Sequence, residues 1–92
     1  MNNQQQRDEI VRQTEAFGLI IEGYEVDRGK PYINLEFETN AVETANNLRE
    51  CNAKETEGLR HAAEQFTEGN EEDFIRTMQR IVLDRLLSYS HE

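Results

Sequence analysis

Carboxylates are the side chains that could do most of the chemistry in this sequence. Glutamates recur every seven residues, at Glu43, Glu50, Glu57 and Glu64. On a single helix they would form one row with about 10 Å between neighbours. Acidic residues also accumulate between positions 61 and 75, where there is no lysine or arginine. The whole chain carries 19 acidic residues against 10 lysines and arginines, a net charge of −9.

This charge favours a basic protein partner. So acidic a chain is repelled by nucleic acid and anionic membranes and is attracted to electropositive surfaces. A compact acidic surface can occupy a groove that normally binds nucleic acid, where charge speeds encounter and a few aromatic contacts fix affinity. The alternative is a solvated surface with local ion pairs. Glu50 with Lys54, and Arg60 with Glu64, have suitable helical spacing for such pairs.

Two regions hold the candidates for partner binding, a predicted β-hairpin and the corner around Gly69. Tyr24 and Tyr32 are candidate aromatic anchors if both face outward, although Tyr24 could equally face the core. The candidate residues are Glu22, Tyr24, Glu25, Asp27, Tyr32, Glu36, Glu38, Glu64, Glu68, Glu71, Glu72 and Asp73.

Catalysis finds little support in the sequence. His61 and His91 have no second ligand at helical spacing, no cysteine or histidine pair indicates zinc, and no glycine-rich phosphate loop is present. The serines, Ser88 and Ser90, lie near the end of the sequence. We therefore expect a protein that is not an enzyme and that uses no cofactor and no metal.

The elements that must position the acidic residues follow from hydrophobic periodicity and turn residues. They are a polar, frayed lead-in over 1–6, a helix over 7–17, strands over 19–26 and 31–39, a long helix over 41–68 and a C-terminal helix over 71–89. Ninety-two residues are enough for one domain with a modest core. The prediction is a single α+β domain, ordered α-β-β-α-α, with an antiparallel β-hairpin packed on the C-terminal helical hairpin.

Local signals mark the ends of these elements. Asn40 with Glu43 is a capping-box pattern at the start of the long helix. Gly69 fits a left-handed position beyond its end, and Asn70 can cap the next helix. In the hairpin, Gly29 is the expected residue of positive φ.

A short turn makes the last two helices antiparallel, with contacting residues whose numbers sum to about 140. Phe66 then meets Phe74. The same register places Glu55 opposite Arg85, both on apolar stripes. Because an unpaired buried charge is costly, we predict a structural ion pair between them.

Nothing in the sequence predicts secretion or membrane insertion. No apolar run approaches the roughly 18 residues of a membrane-spanning helix. The N-terminal residues have neither the basic nor the apolar region of a signal peptide. Cys51 is the single cysteine, and its place on an apolar stripe indicates a buried thiol in a reducing compartment. We expect a cytoplasmic protein.

In length, acidity, α/β content with a small hairpin, and absence of catalytic motifs, the chain resembles the small phage-encoded inhibitors of bacterial defence. Among these it is most similar to the anti-CRISPR proteins that act on type I surveillance complexes, with type I-F as the specific candidate. The acidic residues named above carry the resemblance, which assigns no residue roles because that class shares no common motif. It implies stoichiometric binding to a Cas protein assembly in the bacterial host cell, blocking target DNA binding or guide pairing. Direct binding of duplex DNA is not expected.

A hypothesis of another class is a homodimeric structural or adaptor module. Leu83 and Leu87 lie away from the apolar stripe of the last helix, and they are either covered within the chain or exposed as a contact surface. Hairpin edges that extend a sheet would be another route to a dimer. Salt separates the hypotheses, because docking by charge weakens as salt rises and an apolar dimer does not.

Overall fold

The computed structural model describes residues 3–52 and 54–89, and of Glu55 only the backbone. The elements are α1 (Asn3–Ala16), β1 (Leu19–Glu25), β2 (Tyr32–Phe37), α2 (Ala41–Arg49), a 3-10 turn (Lys54–Thr56), α3 (Glu57–Gln65) and α4 (Glu71–Leu87). The predicted α+β class is confirmed, since the described residues form four helices and one antiparallel hairpin. Their order is α-β-β-α-α-α, with one more helix than predicted.

The core lies between one face of the hairpin and the helices. Along β2, Ile33 and Leu35 are buried and alternate with exposed polar residues, as the sequence predicts for a strand with one covered face. Met78, Val82 and Leu86 of α4 are fully buried against this face and against α3. α1 packs on β1 and on α4.

The prediction of one helix over 41–68 is wrong, because α2 ends at Arg49 and α3 begins at Glu57. Arg49 donates from Nε and Nη2 to the Ala63 carbonyl oxygen at 3.1 and 2.8 Å. In one straight helix these residues would be about 21 Å apart. Arg60 in turn donates from Nη1 to the Cys51 carbonyl oxygen at 3.1 Å. The two arginines thus bind carbonyl oxygens near the C-terminal ends of α2 and α3, where the helix dipoles favour positive charge, and they hold the two helices together.

The predicted capping is partly confirmed. Asn40 Oδ1 accepts a hydrogen bond from the Glu43 amide at 2.9 Å. Gly29 and Gly69 have positive φ, 57° and 94°, as expected. The predicted place of Gly69 directly beyond a helix end is wrong, because α3 ends at Gln65 and Phe66 is its C-cap. Asn70 stands at the N-cap position of α4 but makes no side-chain capping bond, so the prediction for its side chain is wrong.

The antiparallel register around Gly69 is confirmed by Phe66 and Phe74, whose ring centroids lie 4.9 Å apart. The proposed Glu55–Arg85 ion pair stays a prediction, because the Glu55 side chain lies outside the described residues. Arg85 itself is half-buried.

The N-terminal helix begins at Asn3, earlier than the predicted start at residue 7. Gln4 Nε2 donates to Asp8 Oδ1 at 2.9 Å and Arg7 Nη2 donates to Gln4 Oε1 at 2.8 Å, so side-chain bonds one turn apart stabilise the polar first turns. The expectation of a frayed lead-in is therefore wrong for residues 3–6, while residues 1 and 2 lie outside the description. No helix of the described chain has the length and apolar character needed to cross a membrane.

Candidate acidic docking surface

The exposed face of the hairpin brings two carboxylates together. Glu36 is exposed on β2 because successive side chains of a strand point to opposite faces and its neighbour Leu35 is buried. The β1–β2 pairing has a bulge between Ile21 and Gly23, where Glu22 is also exposed. A bulge redirects a side chain, and here the Glu22 carboxyl lies close enough to Glu36 for the two groups to interact.

This contact changes the acidity of Glu22. The hydrogen bond from the protonated Glu22 carboxyl to Glu36, together with the negative charge of Glu36, raises the pKa of Glu22 above its ordinary value of 4.5. When both groups are ionised they repel each other across the strands. A cation placed beside them would relieve that repulsion.

A shallow groove extends from Glu36 to the start of α4. Its volume is about 590 Å³, and its lining residues are Leu35, Glu36, Phe37, Thr39, Asn40, Ala41, Glu71 and Ile75. We call it the acidic groove. Its apolar part is formed by buried Leu35 and half-buried Phe37 and Ile75, and its charged part by the exposed Glu36 and Glu71. No lysine or arginine is among these described lining residues.

The packing of α4 on β2 sets the shape of the acidic groove. The Phe37 ring stacks on Phe74 with centroids 5.7 Å apart, which fixes the first turns of α4 against the end of β2. Further along α4, Gln79 Oε1 accepts a hydrogen bond from the Leu35 amide at 2.9 Å. Because this amide bonds to a helix side chain, α4 lies along the outer edge of β2. These contacts bring Glu36 and Glu71 to one groove although they are distant in sequence.

Glu71 is held in its ionised form. Its carboxylate accepts a hydrogen bond from the Gly69 amide at 3.1 Å. Bonds from the Gly69 and Glu71 amides lower the pKa of Glu71 below its ordinary value. The position at the N-terminus of α4 also favours negative charge. The acidic groove therefore keeps a fixed negative charge on this side.

The other acids of the Gly69 corner are not part of the groove lining. Glu72 and Asp73 face Arg76 at 4.0 and 3.4 Å in exposed pairs, which contribute little to stability. Glu64 and Glu68 are exposed. Since the long helix is broken, the predicted single row of glutamates at seven-residue spacing is not formed.

Neither of the two local ion pairs predicted from helical spacing is found among the described residues. Arg60 forms hydrogen bonds with Cys51 and Asn52 rather than a pair with Glu64. Glu50 forms no salt bridge with Lys54.

Two predicted docking residues are used inside the chain. Glu25 Oε2 accepts hydrogen bonds from the amides of Asp27 and Arg28 at 3.0 and 3.1 Å, and so stabilises the hairpin turn. Asp27 Oδ2 pairs with Arg7 Nη1 at 2.7 Å and ties that turn to α1. Both acids therefore serve the fold, and they are weaker candidates for a partner than Glu22 and Glu36.

The two candidate tyrosines lie on opposite faces of the sheet. Tyr24 lies opposite buried Ile33 and packs on the core, so the structure selects its inward alternative. Tyr32 is 47 % exposed and remains available as an anchor. Ile20, which is not among the predicted docking residues, is 41 % exposed opposite Glu36. The alternation from buried Leu19 is the signal that would have placed it outward.

Glu38 is exposed just after β2, and its amide donates a hydrogen bond to the Gly18 carbonyl oxygen at 2.8 Å.

Within the described residues, no group of three or more histidine, cysteine, aspartate or glutamate side chains is arranged to hold a metal ion. No protein-family model, no curated protein and no solved structure matched this chain.

Proposed function

We propose that this protein is a non-enzymatic inhibitor that docks through its acidic surface on a basic, nucleic-acid-binding surface of a CRISPR effector complex. The observation that supports this most is the continuity of charge through Glu36. Its carboxylate meets Glu22 on the outer face of the hairpin and also lines the acidic groove with Glu71. The hairpin and the start of α4 thus form one acidic region in the folded chain.

Electrostatics gives this surface its role. A protein groove that binds nucleic acid is lined with lysine and arginine, and it attracts an acidic protein at long range. Carboxylates beside these cations replace the phosphates, while exposed Tyr32 and Ile20 supply apolar contacts that charge alone does not give. Bound there, the protein occupies the surface that target DNA or the guide duplex needs. The resemblance to anti-CRISPR proteins supports a Cas assembly, type I-F in particular, as the target.

Charge reversal tests the docking surface. The triple variant E22K/E36K/E38K reverses the exposed hairpin acids, and E15K/E50K/E57K is a control with the same change of net charge at exposed sites elsewhere. Binding to a purified type I-F surveillance complex is measured by biolayer interferometry at several salt concentrations. The hairpin variant should lose at least about a hundredfold in affinity, as expected when close charge pairs are reversed at an interface. The control should lose far less.

Equal losses in the two variants would mean that only net charge matters, and unchanged affinity of the hairpin variant would contradict docking through this face.

The alternative, a homodimeric module, has less support from the packing. Leu83 and Leu87 are half-buried and pack on the core, which favours the intramolecular alternative for these side chains. The outer edge of β2 is occupied at Leu35 by Gln79, so that position is not open to a strand from a second copy. A concentration-dependent dimer mass that is insensitive to salt would nevertheless favour the module over the inhibitor.

A further inference from the structure

We propose that the acidic groove binds an extended segment of the partner protein in which cationic and apolar residues alternate. The identity of that partner rests on the proposed function. The composition of the groove indicates the chemistry of its occupant. Half-buried Phe37 and Ile75 present apolar surface, whereas Glu36 and Glu71 are exposed carboxylates. A partner of matching chemistry needs both apolar and positive side chains.

An extended chain delivers these two kinds of side chain in the required directions. Successive residues of a strand point to opposite faces, so apolar side chains at alternate positions enter the groove while the residues between them face its charged rim. Arginine suits the rim because its guanidinium binds carboxylates in a planar, bidentate manner. Glu71 is ionised in the free protein, so no proton has to leave this carboxylate when the cation binds.

The edge of β2 determines how such a segment is held. The Leu35 amide already bonds to Gln79 Oε1, so the segment cannot take this position as a continuous third strand. Recognition therefore depends on side chains in the groove more than on a backbone ladder. This arrangement gives sequence selectivity, since pure backbone pairing would accept any extended chain.

Synthetic peptides test the inference without the effector complex. The probe is a fluorescein-labelled hexapeptide of alternating arginine and valine. One control replaces valine by glycine and keeps the charge, and a second replaces arginine by glutamate and keeps the apolar residues. Binding is followed by fluorescence anisotropy, and the site is mapped by amide shifts in ¹H–¹⁵N spectra of the protein.

We expect the arginine–valine peptide to bind at least tenfold more tightly than the arginine–glycine peptide, and the glutamate–valine peptide not to bind. Amide shifts should concentrate at residues 35–41 and 71–75. Equal binding of the two arginine peptides, shifts spread over all exposed acids, or no saturable binding of the arginine–valine peptide would each overturn the proposal.

A matched pair of variants tests the same site in the native complex. Thr39→Arg places a long cation in the groove at an exposed residue, and Gln5→Arg adds the same charge at an exposed residue of α1. Thr39→Arg should weaken binding to the purified type I-F complex at least tenfold, whereas Gln5→Arg should bind like the parent protein. Circular dichroism confirms that both are folded. Equal affinity of the two variants would overturn the role of the groove.

The inference and the proposed function can fail separately. The variant E22K/E38K changes hairpin acids that do not line the groove. If it weakens binding to the complex while Thr39→Arg does not, the proposed function stands and the groove inference is wrong. If the parent protein does not bind the complex but the arginine–valine peptide occupies the groove, the groove inference stands and the proposed target is wrong.

Discussion

The ion pair between Arg7 and Asp27 gives the sharpest stability prediction. The Arg7 side chain is only 4 % exposed and that of Asp27 is 29 % exposed, with Nη1 and Oδ2 2.7 Å apart. Asp27→Asn removes the negative charge but keeps the shape, leaving a buried guanidinium without its counter-ion. Breaking a buried pair costs about 3–5 kcal/mol, and partial exposure together with the remaining amide contact reduces this to about 2–3 kcal/mol.

That loss is large for so small a domain. A chain of 92 residues has a total stability of about 5–14 kcal/mol. Asp27→Asn should therefore lower the midpoint of thermal unfolding by about 10–20 °C. Arg12→Gln on the same helix is the control, because its partner Glu9 and Arg12 itself are 50 % and 71 % exposed. It should change stability by less than about 0.5 kcal/mol.

Arg7→Met should cost less than Asp27→Asn. The Nε atom of Arg7 is buried without a hydrogen-bond partner, so this arginine already carries an unsatisfied donor that methionine removes. The Asp27 carboxylate left behind is partly exposed and can be hydrated. Once Arg7 is methionine, a further Asp27→Asn change should cost less than it does in the parent protein, because the pair no longer exists.

Urea unfolding of the four proteins of this cycle, followed by circular dichroism, supplies the free energies. An Asp27→Asn change as mild as Arg12→Gln, or one that costs the same with and without Arg7, would show that the Arg7–Asp27 pair does not stabilise the fold.

The remaining predictions concern acidity and glycines, and unfolding free energies check each of them. The pKa of Glu22 is raised, so ionisation of this carboxyl destabilises the folded protein above the raised pKa and has no such effect below the ordinary value of 4.5. Glu22→Gln should therefore stabilise the protein at pH 7. This gain should fade as the pH falls through the raised pKa. The pKa of Glu71 is lowered, so Glu71→Gln should destabilise the protein at pH 7, and this loss should fade as the pH falls below 4.5 through the lowered pKa. A change in unfolding free energy that varies with pH in the same direction for both variants would contradict these assignments. Gly69→Ala should cost about 1–2 kcal/mol because φ is 94° there. Gly58→Ala should stabilise α3 by about 0.5 kcal/mol, since its methyl would meet Ile81 at 3.6 Å; loss of stability there would contradict the packing.

Local patterns in the sequence predicted local structure well. The capping bond from Glu43 to Asn40, the positive φ of Gly69 and the alternation of β2 depend on neighbouring residues, so they are visible without a fold. The break after Arg49 was missed because the apolar stripe continues through it. What favours two helices is a tertiary bond from Arg49 to the Ala63 carbonyl, which linear periodicity does not contain.

The candidate site was predictable in its members but not in its grouping. Glu36 and Glu71 both belong to the predicted acidic set, yet their common groove exists only because α4 lies along the edge of β2. Asp27 was also predicted to meet a partner, and its role in the fold became visible only with Arg7 of α1 beside it. The charge pattern of the sequence therefore identifies the acidic residues. Tertiary packing determines which of them stabilise the fold and which face solvent.

Competition with target DNA is the most direct test of whether the acidic surface occupies the DNA-contacting surface. A fixed amount of purified type I-F complex and labelled target duplex is titrated with the protein, and the apparent dissociation constant for DNA is measured at each concentration. If the acidic surface occupies the DNA-contacting surface, this constant should rise in proportion to the protein concentration without reaching a plateau, and no particle should contain both. An unchanged constant, or a stable assembly that holds protein and DNA together, would mean that the protein does not bind at the DNA-contacting surface.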